Sequence, residues 1–410
     1  MNCNINVTEP VFPDNIFNVS DFGTGDDKKS IQLALDACGN AGGGTVYVPA
    51  GVWQCAALRM KSNTNLHLEE GAVLEFSAEP SDYLPVEFTR WEGIECYNYC
   101  PLIYAINCEN LAVTGKGILK GNGQAWWHWK ELQHTGAKKL YDAEANGIPL
   151  EKRIFGNTTD ALRPQFIQFI NSRNILISDI RIEDGPQWTI HPVYSENIIV
   201  RNVVVDTDGP NTDGLNPDSC NNVLVENCSF ATGDDCIAIN SGMNEDGWRV
   251  NRPCENVLIR NCRMTRGHGG VVIGSGMSGG VRNIYAHDCE IDGTELGIRL
   301  KSMRGRGGVV ENIKIRNCRV ENILGQVIQI NMFYGATTID PTSAVPPLFR
   351  NIVMEDITGS GGTGIQLKGL PESHLTNITL RRISIEAPDA MECTDVTGLT
   401  LEDVQVRSGK

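Results

Sequence analysis

One short pattern recurs along most of this chain and constrains its fold more than any other feature. An Asn is followed by three residues, the first and third apolar, then a variable residue, an Asn or Asp, and a further apolar residue. Asn174-Ile-Leu-Ile-Ser-Asp-Ile180 and Asn256-Val-Leu-Ile-Arg-Asn-Cys262 are two copies. Others open at Asn197, Asn222, Asn283, Asn312, Asn351 and Asn377, with weaker ones near Asn110 and Gly398. The opening asparagines are 23 to 39 residues apart, too close for each copy to be a domain. Within a copy the apolar residues fall at +1, +3, +6 and usually +8. That is a strand, a bend and a second strand. Asn and Asp tolerate the left-handed backbone such a bend needs.

A coil of ~25 residues with short strands and no helical period is the rung of a β-helix. Leucine-rich repeats share the period but need a Leu/Asn signature this chain lacks. The expectation is an all-β chain, a single-stranded right-handed parallel β-helix, the hand following the crossover rule. Solenoids grow without dividing into separate cores, so residues 1–410 read as one domain. An N-terminal cap is expected over about 20–50. There Ile31, Ala34, Leu35 and Cys38 have the spacing of a short amphipathic helix, before Gly42-Gly-Gly-Thr-Val-Tyr-Val-Pro49. Residues 122–163 break the repeat with Trp126, Trp127, Trp129 and a charged run, and read as a long loop excursion.

The 14 cysteines would suggest disulfides, but Cys228, Cys262, Cys289 and Cys318 occupy one position of the repeat. They read as an interior row of small hydrophobes with free thiols. No CxxC pair points to zinc, and no metal or cofactor is expected. A net charge of −15 argues against a nucleic-acid partner, and no apolar run is long enough to span a membrane. The first residues lack the basic start and apolar stretch of a signal peptide. With the free thiols this favours a cytoplasmic protein, a secreted or periplasmic mature form being the alternative. Oligomeric state is not legible.

Four segments carry polar residues the coil does not need: Asn211-Thr-Asp-Gly214, Gly233-Asp-Asp-Cys236, Gly267-His-Gly-Gly270 and Arg299-Leu-Lys301. Counted from the Asn of its own rung, Asp213 is at +16, Asp234 and Asp235 at +12 and +13, His268 at +12, and Arg299 and Lys301 at +16 and +18. Similar phase on successive rungs means one face. Rungs stack at ~4.8 Å, so three carboxylates should gather at one end of a patch and two cations at the other. Trp188 and His191, at +14 and +17 one rung earlier, should lie beside the carboxylates and wall the substrate-binding site there. Crowded carboxylates raise at least one pKa, a mark of functional sites. A proton donor paired with a water-activating carboxylate is what glycoside hydrolysis needs, with a gap of ~6.5–9.5 Å for inversion. The cations imply an anionic substrate.

In that order on a β-helix, NTDG, GDD, GHG and RLK resemble the polygalacturonase family of glycoside hydrolases (family 28), over nearly the whole chain. The resemblance implies an inverting enzyme that cuts α-1,4 galacturonosyl linkages of acidic pectic polysaccharide or oligosaccharide. It implies Asp234 as general acid, Asp213 and Asp235 as activators of water, and His268 as tuner of the acid. Arg299, Lys301 and Tyr334 would bind galacturonate, and Asn211 would contact substrate. Two positions depart from the commoner pattern: Gly270 stands where endo-acting members have Ser, and Leu300 replaces Ile. The form Gly-His-Gly-Gly-Val-Val-Ile-Gly-Ser is similar to bacterial exo-acting members. The bulky excursion would convert an open cleft into a pocket for chain ends. A rhamnogalacturonan hydrolase of the same family is the alternative. A pectate lyase and a non-catalytic carbohydrate-binding β-helix are the rivals outside it.

Overall fold

The asparagine that opens each copy is what turns the chain. In the computed structural model, which describes residues 5–23, 27–335, 337–338 and 340–408, Asn110, Asn174, Asn197, Asn222, Asn256, Asn283, Asn312, Asn351 and Asn377 all have φ between 53° and 58°. Their amides form a ladder: Asn174 donates to Asn110 at 3.0 Å, Asn197 to Asn174 at 3.2 Å and Asn222 to Asn197 at 3.2 Å. The ladder shifts once, where Asn256 donates to Asn221 at 2.8 Å, and resumes at Asn283. A second left-handed corner lies five residues on, at Asp179, Asn202, Asn227, Asn261, Asp288, Asn317 and Asp356.

Between the corners the apolar positions point inward and stack in register. Ile175 pairs with Ile198, Ile198 with Val223, Val223 with Val257, Val257 with Ile284, and Ile284 with Ile313. All are at most 1% exposed. Burying each such side chain contributes roughly 1.5–3 kcal/mol, which is why rungs need neighbours on both sides. The pairing is parallel throughout the main sheet, so the coil is the expected parallel β-helix. Cys228, Cys262, Cys289 and Cys318 do form a buried row. Each thiol donates to the carbonyl two residues back, at 3.3–3.4 Å. Cysteine thus closes an apolar row while satisfying a carbonyl at the bend. Every described cysteine is free of disulfide.

The cap is the helix Asp27–Asn40, with Ile31, Ala34, Leu35 and Cys38 fully buried, followed by the strand Gly44–Val48. At Gly44 (φ 147°) a Cβ would lie 2.4 Å from the Asn15 carbonyl, so only glycine allows this close approach. Ahead of the helix, Ile5, Val7 and Phe12 cover an outer apolar stripe of Ala112, Leu176, Ile199, Leu224 and Leu258, an arrangement the repeat did not announce.

The excursion is helical: Gln124–Trp127, Trp129–Leu132 and His134–Ala145. It joins two further departures from the coil. One is the antiparallel hairpin Glu87–Trp91 with Ile94–Asn98; the other is the helix Asn244–Val250. Together they form a lobe with its own small core of Trp91, Ile94, Cys96, Leu140, Phe155 and Leu162. Asp246 ties the lobe together, 2.7 Å from Arg153 and accepting from the Glu95 amide at 2.9 Å. No helix among the described residues is long and apolar enough to cross a membrane.

Candidate active site

The third strand stack carries the polar segments. Its register is set by Ile190 opposite Leu215 and Leu215 opposite Ile237. Two residues earlier, Trp188, Asp213 and Asp235 therefore share one column. The backbone bonds Thr189 to Asp213, Gly214 to Asp235 and Cys236 to Gly269 continue it. Asp234 aligns with His268, whose amide donates to the Asp234 carbonyl at 3.0 Å. Three carboxyl groups on adjacent rungs are thus forced together, and one oxygen of each lies within 4.8 Å of the others. These are nearest-oxygen separations, set by the rung step between Asp213 and the Asp234–Asp235 pair, and are shorter than the distance between whole carboxyl groups that distinguishes inversion from retention.

The three acids do not share the charge equally. Asp213 is buried, with Oδ2 accepting from Asn216 at 2.8 Å and Oδ1 left without a partner. Burial first, then the charges of Asp234 and Asp235, raise its pKa well above the ordinary 3.8. Asp234 is half-buried, and the loss of water around it would by itself raise its pKa. The hydrogen bond to His268 and the charge of Lys301 outweigh that and lower it. His268 Nδ1 lies 3.0 Å from Asp234 Oδ1, and its Nε2 lies 3.7 Å from Glu295. The bond to Asp234 raises the imidazole pKa, favouring an imidazolium–carboxylate pair.

The cations are not at a far end of the patch. Lys301 Nζ sits 2.7 Å from Asp235 Oδ2, and Arg299 Nη1 lies 3.7 Å from Oδ1. Counting from each rung's Asn put them two rungs beyond the Asp234–Asp235 pair. Their long side chains reach back across that spacing to the nearest buried carboxylate. Arg299 and Lys301 also lie over the Tyr334 ring, at 5.6 and 5.1 Å from its centre. The carboxylate oxygens are close enough together to hold a small cation, but Lys301 already supplies positive charge at Asp235.

One wall comes from outside the repeat. Asn211, in left-handed backbone (φ 57°), donates to Asp234 Oδ2 at 3.3 Å. Its own oxygen accepts from Lys130 Nζ at 2.6 Å and Arg163 Nη2 at 2.9 Å. The recess holding Asp213, Asp234 and Asp235 is also lined by Trp188, Glu92, Asn240, Met243, Lys301 and Tyr334. Glu92, Lys130 and Arg163 were not foreseen. They belong to the hairpin and the excursion, where no repeat phase locates them; the charged excursion was the only hint.

His191 is a correction. It is fully buried, with Nδ1 2.9 Å from Gln168 and Nε2 3.3 Å from Asp218. It stands beside the core-facing Ile190, on the outer side of the coil, and is covered by the hairpin, whose Arg90 pairs with the same Asp218 at 2.9 Å. It still touches Trp188 edge-on, with ring centres 4.7 Å apart, so it props the wall without reaching the groove. The departures at Gly270 and Leu300 do face inward. A Cβ at Gly270 would lie 2.6 Å from Ile291, and Leu300 is fully buried. Both are matters of core packing.

Comparison with known proteins agrees with this geometry. Residues 153–406 match the family described as Glycosyl hydrolases family 28. A probable polygalacturonase of Vitis vinifera is 30% identical over 386 residues, 89% of this chain and 72% of that protein. An exo-poly-alpha-D-galacturonosidase of Dickeya chrysanthemi is 28% identical over 442 residues, 96% of this chain and 72% of the other. Among solved structures, a hyperthermoactive exopolygalacturonase from Thermotoga maritima superposes with a TM-score of 0.93 at 37% identity, covering 98% of this chain and 94% of that one.

Proposed function

Since the chain belongs to glycosyl hydrolase family 28, we propose that it hydrolyses α-1,4 galacturonosyl linkages of polygalacturonan or its oligomers, releasing units from the non-reducing end with inversion. The observation that carries this reading is the recess itself. Three carboxyl groups meet beside Lys301 and Arg299, and the lobe bearing Glu92 and Lys130 walls one side. A walled recess accepts chain ends, whereas an open cleft accepts chain middles. The names of the Dickeya and Thermotoga relatives point the same way.

In this reading Asp234 protonates the leaving glycosidic oxygen as the bond to the anomeric carbon breaks. Water held by Asp213 and Asp235 attacks the opposite face and gives its proton to one of them. The charges of Asp213 and Asp234 act on each other, so their protonation is linked. In the free site the proton is favoured on Asp213, whereas the chemistry needs it on Asp234. Lys301 helps keep Asp234 ionised. A galacturonate carboxylate that engages Lys301 and Arg299 draws off part of that positive field, which raises the proton affinity of Asp234. Substrate of the right charge thereby arms the acid. A neutral sugar at that position would not, which favours polygalacturonan over rhamnogalacturonan.

We also propose a compartment that keeps thiols reduced, supported by the absence of disulfides among the described cysteines. The function is tested on polygalacturonate by following viscosity and products together. Monomer should accumulate early while viscosity falls little. A rapid viscosity drop with mixed oligomers would overturn the exo mode, and an unsaturated ultraviolet-absorbing product would overturn hydrolysis.

A further inference from the structure

Glu92 sits at the tip of the hairpin in left-handed backbone, φ 45°, a conformation uncommon outside Gly, Asn and Asp. Three separate elements converge on its carboxylate. The hairpin carries it. Tyr141 of the helix His134–Ala145 donates its hydroxyl to Oε2 at 3.1 Å, and Gln187, beside Trp188 on the rung before Asp213, donates to Oε1 at 3.3 Å. Both donors are neutral, and each occupies one oxygen once, so each oxygen retains capacity to accept. The group lines the same recess as Asp213, Asp234, Asp235 and Trp188. Lys130 and Arg163 of the excursion also act on it with positive charge, so this wall carries two cations beside its one carboxylate.

We propose that Glu92 reads the chain end: its carboxylate accepts the free hydroxyl of the non-reducing terminal sugar. This rests on the exo-acting reading above and names the residue that enforces it. A site built to accept a hydroxyl rejects an analogue lacking it far more strongly than an apolar wall would. A wall of bulk alone would block longer chains but would not distinguish a terminal hydroxyl from its absence.

The test compares saturated trigalacturonate with trigalacturonate unsaturated at its non-reducing sugar, which lacks the C4 hydroxyl. Wild-type enzyme should prefer the saturated trimer in kcat/KM by about tenfold or more. Glu92→Ala should lower that ratio by about fivefold or more, mainly through a higher KM on the saturated trimer. Glu92→Met fills the same volume without an acceptor and is measured beside it, so that a folding failure of the Ala variant leaves the ratio readable. No preference in the wild type, or a smaller fall in the folded variant, overturns the assignment of Glu92. Failure of the exo reading is separate and shows in wild-type enzyme as mixed oligomers from polygalacturonate.

Discussion

Burial and two neighbouring carboxylates hold the Asp213 pKa well above the ordinary 3.8, so ionising this residue in the folded protein opposes folding. The sign follows from linkage. Where the folded pKa is raised, stability is greatest below the unfolded pKa and is lost as pH rises towards the folded one. Asp213→Asn removes the titration while keeping the shape and an acceptor for Asn216. The variant should be inactive yet more stable than wild type at pH 7, by about 0.5–2 kcal/mol, with the difference vanishing near pH 4. Thermal melts across that range check it; a variant less stable at pH 7 would contradict the buried-charge account. The two cations should also separate. Arg299, the looser partner of Asp235, should when changed to Ala mainly raise KM, by the ~1.5–3 kcal/mol of a lost charge-assisted contact. Lys301→Ala also strips Asp235 of its close counterion and should lower kcat as well. Equal, KM-only effects from both would place Lys301 outside the reaction.

At the scale of elements, what the sequence reveals is what repeats. The rungs are legible because their asparagines take one backbone conformation and their apolar residues face one way. The thiol row is legible for the same reason, and titration of denatured, unreduced protein should find nearly all of its 14 cysteines free; a majority in disulfides would contradict the interior-row reading. The strand Leu296–Lys301 presents Arg299 and Lys301 outward around the buried Leu300 by simple alternation, so that motif is readable too. Phase counted from a distant Asn is coarser. It placed Trp188 at the recess and His191 wrongly, since phase says nothing of the hairpin whose Arg90 and neighbours cover that stretch of the coil. The hairpin and the helix Asn244–Val250 are not legible at all. Each interrupts a rung without a period of its own, the second announced only by the 34-residue step from Asn222 to Asn256. Glu92 was missed with them.

For the whole molecule, the division of labour is between coil and lobe. The β-helix fixes three carboxyl groups at rung spacing with no adjustable part, which preorganises the chemistry. The lobe, built from three interruptions of that coil, determines which end of a chain can reach it. Inversion is the claim that joins the two. It requires water to attack from the face opposite the departing sugar while a chain end occupies the walled side. The most direct test is proton magnetic resonance of saturated trigalacturonate during the first minutes of hydrolysis, before the anomers equilibrate. The account predicts that the first galacturonate released is the β-anomer, freed from the non-reducing end of an α-linked chain. Initial release of the α-anomer would contradict it, and would recast one of Asp213, Asp234 and Asp235 as a nucleophile.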